Sequence, residues 1–209
     1  MAAQNDYRSA VRFLKKADDH IGNVIRQVGP CRLQPTGGRF EIVARAIVSQ
    51  QISVAAAKTI FTRLRKQLPG RRLSAAGLSQ LSDSKLQEIG LSRQKRTYLR
   101  DLTERTLNGT LSFRRLAKLD DVAVIQTLTE VKGIGVWTAQ MFLLFGLGRP
   151  DVFAPGDLGL QNAVYQIYGD GKKLPEDRVT AISERWAPYR SVASWYLWRY
   201  LELENSPSS

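Results

Sequence analysis

Cysteine and histidine are almost absent from this chain: Cys31 is the only thiol and His20 the only imidazole. A single cysteine excludes an internal disulfide framework and any four-cysteine zinc or iron–sulfur site within the chain. The simplest state for Cys31 is a buried, reduced thiol. A single histidine leaves too little for a histidine general base or a multi-histidine metal centre, so any chemistry falls to carboxylates. Acids are themselves in the minority, 19 Asp and Glu against 31 Lys and Arg, for a formal charge of +12. Such an excess favours polyanionic partners, nucleic acid first, although charge alone does not distinguish a nucleic-acid binder from a basic soluble protein. Long apolar runs are missing too. The opening "MAAQNDYRSA" lacks the basic-then-apolar pattern of a secretory signal, and no run is long enough to span a bilayer. The expected location is cytoplasmic and nucleoid-associated, with no membrane partner.

Alternating strand patterns are also lacking, and what is present has helical spacing. Val11, Leu14, Ile21, Val24, Ile25 and Val28 form one such series; Phe40, Val43, Ile47, Val54, Ile60 and Leu64 form another. "LSDSKLQEIGL" is expected to be a short helix stopped by Gly90. Ser92 then caps "RQKRTYLRDLTERTL", which Asn108 and Gly109 end, and Asp120 or Asp121 caps "VAVIQTLTEV". The fold class is all-α. In 209 residues, 43% of them hydrophobic, there is room for one large domain or two small lobes. The connector "GPCRLQPTGGR" is expected to divide an N-terminal helix from a central lobe, and the Gly- and Pro-rich "GLGRPDVFAPGD" marks a second boundary. The expected division is a central lobe over 39–145 and a second lobe of 1–38 with 146–209. The polar tail "ENSPSS" is expected to be disordered.

Within "VKGIGVWTAQ", from Val131, Gly133 and Gly135 flank Ile134. Two glycines allow positive φ and close approach of backbone to a ligand, while the isoleucine anchors the turn in a core. The amides that open the next helix near Val136 then form a site suited to a phosphate, a contact that holds a DNA backbone without reading its sequence. A lone Gly-x-Gly is more often a tight turn that binds nothing. Asp157 follows Gly135 by 22 positions, inside "DVFAPGDLGL". After Pro-Gly it suits the N-cap of a helix from Leu158, and an isolated acid there is also the best-placed carboxylate for chemistry.

Together, the pattern Val-x-Gly-Ile-Gly-x-Trp-Thr-Ala, the Gly/Pro-rich loop and Asp157 resemble the helix-hairpin-helix DNA glycosylase superfamily, over most of the chain from about Arg39 to Tyr200. "IVSQQIS" from Ile47, "GLSRQKRTYL" from Gly90 and "WAPYRSVASWYLWRY" from Trp186 are most similar to the alkylation-repair branch, DNA-3-methyladenine glycosylase II. The sequence departs from the family at Lys132, where a proline is usual, and a lysine there adds a cation beside the phosphate. A counterpart of the β-rich N-terminal domain of some members is expected to be missing, leaving the catalytic core.

The resemblance implies two helical lobes flanking a DNA-binding and active-site cleft. It implies a monomer that acts on double-stranded DNA containing damaged bases, flips the damaged base and hydrolyses its N-glycosidic bond. Asp157 takes the catalytic role. Trp137, Met141 and Trp198 match substrate-pocket positions, whereas Trp186, Trp195 and Tyr189 are assigned to packing. Gln50, Gln51, Lys132, Gly133, Ile134, Gly135 and Thr138 fall at DNA-binding positions, with Gln51 matching the wedge that fills the vacated stack. Lyase members carry a lysine where this chain has Trp137, so a monofunctional enzyme is expected. No cofactor is required; a monovalent cation, sodium or potassium, is expected on the carbonyls of Leu128, Val131 and Ile134. The basic stretches "RLRKQLPGRR" and "SRQKR" are candidates for phosphate contacts or plain solvated faces. Two other functions remain open from the residues: a glycosylase for deaminated, oxidised or mismatched bases, and a non-catalytic helix-hairpin-helix binding module.

Overall fold

The computed structural model describes residues 7–35, 38–169 and 172–204, all of them helix, turn or loop. In chain order the helices are α1 (Arg8–Ala17), α2 (Asp19–Val28), α3 (Arg39–Ser49), α4 (Val54–Lys66), α5 (Ala75–Ser79), α6 (Asp83–Ile89), α7 (Arg93–Leu107), α8 (Phe113–Leu116), α9 (Asp121–Thr129), α10 (Val136–Met141), α11 (Leu158–Tyr168), α12 (Glu176–Glu184) and α13 (Arg190–Glu204). No strand occurs among the described residues, so the all-α reading holds. No helix among them is long and apolar enough to cross a membrane. The polar tail beyond Glu204 and the first six residues lie outside the described part.

The capping signals act as expected. Ser92 Oγ accepts from the Lys95 amide to open α7, Asp120 Oδ1 accepts from Ala123 N at 2.8 Å to open α9, and Gly90 ends α6 with φ +109°, a conformation open to glycine at little cost. The N-terminal segment differs from the expected single helix. It breaks at Asp18, whose carboxylate accepts from the amides of His20 (2.9 Å) and Ile21 (3.2 Å) and so starts a second helix. Asp18 is buried, and the Trp186 indole also points to it at 3.4 Å. The apolar "MFLLF" segment holds another difference. After α10 the coil widens to a π-helix over Phe142–Leu147, which keeps Phe142, Leu143 and Leu144 buried.

The chain forms two compact units, one of Met1–Pro35 with Gly148–Ser209 and one of Thr36–Leu147. In the first, α13 packs on α2, α11 and α1, around Leu14, Ile21, Trp186, Tyr196 and Leu197. In the second, α7 packs on α5 and α3, and α9 on α10, around Leu64, Leu99, Leu102 and Leu128. Each leucine so buried contributes about 1.5–3 kcal/mol.

Candidate active site and nucleic-acid interface

In the first unit the acid loop is laced to helix α13. Ser191 Oγ accepts from Val152 N at 2.9 Å and donates to the Arg149 carbonyl at 2.7 Å, while the Ser191 amide donates to the Pro150 carbonyl at 3.0 Å. Arg190 grips Asp151 with two parallel bonds of 2.7 and 2.8 Å, the strong bidentate geometry of guanidinium on carboxylate. Burial pushes the Asp151 carboxyl up, but the Arg190 guanidinium and amide together hold it below the usual carboxylate range. A depressed folded-state value stabilises the fold above the unfolded value, about 3.9, and this stabilisation is lost as the pH falls through the folded value. Asp151→Asn is therefore expected to lower the thermal midpoint at neutral pH and to flatten its decline below about pH 4; thermal melts across pH check both.

Held in this way, the loop delivers Asp157 to the N-cap of α11, where Oδ1 accepts from Leu160 N at 2.8 Å. The same oxygen accepts from Trp198 Nε1 at 3.0 Å. Cap and indole together fix the plane of the carboxylate. Gly159 makes the approach possible, since a Cβ there would lie 3.1 Å from both Asp157 Oδ1 and Trp198 Cδ1.

In the second unit α9 and α10 are joined by the turn through Lys132 to Gly135. Gly133 has φ +80°, and a Cβ there would come within 3.0 Å of the Tyr98 ring, so glycine is required on both counts. Gly135 differs from expectation: its φ is −97°, open to any residue, and nothing lies near its missing Cβ. Its use is access to the backbone. The amides of Gly135 and Val136 pair with no acceptor among the described residues, as an incoming phosphate requires. Lys132 is exposed, and its amide donates to Asp101 Oδ2 at 2.9 Å, tying the turn to α7. Ile134 and Thr138 are buried. Thr138, expected among the DNA contacts, packs inward and can reach DNA only through its backbone.

The candidate wedge block lies beside this turn. Gln50 ends α3, and its side-chain amide donates to the Gly133 carbonyl at 2.7 Å. Gln51 is exposed with φ +53°. With Gln50 at φ −56° and ψ 131°, the turn has type II character, and that type places glycine where Gln51 stands. The left-handed conformation costs a non-glycine residue about 1–2 kcal/mol, and flexible glycine returns part of this. Gln51→Gly is expected to stabilise the protein by about 0.5–1 kcal/mol; denaturant titration measures the gain.

Residues 44–188 match the family model of the HhH-GPD superfamily of base excision DNA repair proteins. The chain belongs to the HhH-GPD superfamily. It is 28% identical over 208 residues to an alkylbase DNA glycosidase-like protein of Schizosaccharomyces pombe, covering 97% of this chain and 98% of that protein. Among solved structures, a DNA-3-methyladenine glycosidase of Bacillus halodurans shares 34% identity at a TM-score of 0.84, covering 95% of this chain and 93% of the other. A 3-methyladenine DNA glycosylase of S. pombe in complex with abasic DNA superposes at a TM-score of 0.84 and 28% identity, over 96% and 100% of the two chains.

The aromatics of this HhH-GPD chain separate by exposure. Trp186 is fully buried and packs edge-on against Phe153; Tyr189 packs on Phe13 and Trp195 on Tyr196. Trp137, in the first turn of α10, keeps 46% of its surface exposed, more than core packing explains for so large an apolar ring. Met141 closes α10, half-buried. Trp198 is half-buried and bonded to Asp157, a partnership that sequence reasoning misses; its only local trace is a glycine in the first turn of α11, where glycine is a poor helix former. Two cations of the basic stretch "SRQKR" also differ from expectation, while Arg93 is exposed as expected. Lys95 is buried and donates to the Val48 carbonyl at 2.8 Å, and Arg96 bonds Asp83 and the Leu91 carbonyl. Both are committed within the protein rather than to phosphate or solvent. In the other basic stretch, Arg65 pairs with Glu41.

Proposed function

We propose that this HhH-GPD protein is a monofunctional DNA glycosylase that flips alkylated purines of the 3-methyladenine and 7-methylguanine class out of double-stranded DNA and hydrolyses their N-glycosidic bond. It works as a monomer on DNA in the cytoplasm. The observation that carries the reading is Asp157, held at the cap of α11 by Leu160 N and by Trp198.

The chemistry needs no more than this acid and a water molecule. An alkylated purine is already cationic, so it leaves as a neutral base, taking the electron pair of the C1′–N bond. Positive charge develops on the sugar. The Asp157 carboxylate stabilises it and orients a water, whose oxygen bonds to C1′ while its proton passes to the carboxylate or solvent. Trp198, bonded to Asp157, offers an electron-rich face for the cationic base, worth about 0.5–2 kcal/mol, and the exposed Trp137 is a second such face, with Met141 one helical turn beyond it. Lys132 and the amides of Gly135 and Val136 hold phosphate, and Gln51 fills the gap in the stack with Gln50 beside it.

For a monovalent cation, the carbonyl of Leu128 already accepts from the amides of Glu130 and Val131, the latter at 3.1 Å, whereas that of Val131 accepts one turn hydrogen bond, from Ile134 N at 3.0 Å. The Val131 oxygen keeps a second lone pair, so it and that of Ile134 are the better donors for sodium or potassium and that of Leu128 the weaker third; the ion would add positive charge beside the phosphate. No step of the reaction depends on it.

Trp198→Phe keeps a smaller aromatic face and removes the N–H, and hydrogen bonds to charged groups contribute about 1.5–3 kcal/mol, so kcat is expected to fall at least about tenfold, beside any rise in KM from the weaker face. Single-turnover kinetics on methylated duplex measure this. The monofunctional assignment rests on Trp137 standing where lyases carry lysine. Borohydride treatment during turnover is expected to trap no protein–DNA adduct, and strands to break only after alkali; a trapped adduct would overturn that assignment.

A further inference from the structure

Lys95 is a lysine where an apolar residue would pack at lower cost. It is 8% exposed, burial pushes its ammonium down, and its bond is to a carbonyl, that of Val48, rather than to an acid. Isolated buried cations are expensive and are retained when their hydrogen bonds do something an apolar side chain does not. Val48 is in the last turn of α3, where carbonyls lack intrahelical partners and a cation is favourable. Helix α3 has no basic residue of its own in that turn, so α7 supplies one.

The strained turn at Gln50 and Gln51 begins two residues beyond Val48. These glutamines border an open groove of about 580 Å³ with Lys95, Gln94, Tyr98 and Gly133. The turn is tied on two sides: through α3 by Lys95 on the Val48 carbonyl, and through the hairpin by Gln50 on the Gly133 carbonyl. Helix α7 supports both ends. Lys95, Tyr98 and Asp101 succeed one another at three-residue intervals, a spacing that keeps neighbours on adjoining parts of one helix face. Lys95 holds the end of α3, the Tyr98 ring lies against Gly133, and Asp101 holds the Lys132 amide. A strained conformation in an exposed non-glycine residue persists only where the surroundings fix it, and such residues concentrate where a side chain must be presented.

We propose that Lys95 is a positioning residue for base extrusion: through Val48, and together with Gln50 on Gly133, it holds Gln51 in its left-handed turn, so that seating of the hairpin and entry of Gln51 into the stack are one event. The proposal rests on the assignment of Gln51 as the wedge. It requires the effect of Lys95 to pass through Gln51, which a double-mutant cycle reads directly.

The cycle compares the full-length wild type, Lys95→Met, Gln51→Ala and the double variant on methylated duplex. It follows single-turnover base release and the fluorescence of a 2-aminopurine placed beside the lesion. Lys95→Met is expected to lower both extrusion and release about tenfold, with affinity for undamaged DNA changed less than about twofold. The double variant is expected to be no worse than Gln51→Ala alone. Lys95→Gln, which removes the charge and shortens the reach to the Val48 carbonyl, gives the same pattern and stands in should Lys95→Met fail to fold. Multiplying effects, or a Lys95→Met variant with wild-type extrusion, would overturn the proposal, and a Gln51→Ala variant that extrudes normally would overturn it together with the wedge assignment. Fluorescence reports extrusion without catalysis, so a failure of the glycosylase reading shows separately as extrusion with no base released.

Discussion

Asp157→Asn is expected to lower release of alkylated purines by about 10²–10³-fold, the scale on which a single preorganised electrostatic group acts, while leaving affinity for abasic DNA at or above that of the wild type. The substitution is nearly isosteric. Asn is as good an N-cap as Asp, and its amide oxygen can still accept from Leu160 N and Trp198 Nε1, the two donors now on Oδ1. What disappears is the negative charge facing the developing cation on the sugar. Losing that charge also removes a repulsion toward phosphate, so binding is not weakened. Asp157→Ala separates the two duties of the residue, since it loses the charge and also the cap, with about 1 kcal/mol of stability. An Asn variant that kept more than a tenth of wild-type release would place the chemistry elsewhere.

Gly133→Ala is expected to be the most damaging change in the hairpin, lowering stability by about 2 kcal/mol or more and DNA affinity at least about tenfold. Two penalties combine. Alanine at φ +80° is strained, and its Cβ would press into the ring of Tyr98, which is itself bonded through its hydroxyl to Gln94 at 2.7 Å. The backbone of the turn must move, taking with it the Gly133 carbonyl that holds Gln50 and the amides aimed at phosphate. Adding Tyr98→Ala relieves the overlap but not the φ strain, so the double variant recovers part of the affinity. Denaturant titration and salt-dependent DNA binding measure the two effects; wild-type affinity in Gly133→Ala would show that the hairpin is not the phosphate clamp.

Local features were legible in the sequence because their partners lie within a few positions. The caps at Ser92, Asp120 and Asp157, the stop at Gly90 and the positive φ of Gly133 each bond or bend within about a turn of helix. Asp18 was equally local, yet an uninterrupted apolar period on both sides concealed the break it imposes. The widening of α10 into a π-helix leaves no mark in an apolar run that is buried on most sides. Tertiary partnerships were not legible at all. Trp198 meets Asp157 across 41 positions and Gln50 meets Gly133 across 83, and no periodicity encodes such pairs. Lys95 sat inside a basic run and had the composition of a solvated face, whereas its position on α7, facing the end of α3, decides its burial.

The central claim, base release driven by Asp157, is tested most directly by incubating the wild-type protein with DNA treated with a simple methylating agent and identifying what is set free. Release of 3-methyladenine or 7-methylguanine, with strands intact until alkali is added, is the predicted result. Tight DNA binding with no methylated purine released would contradict it.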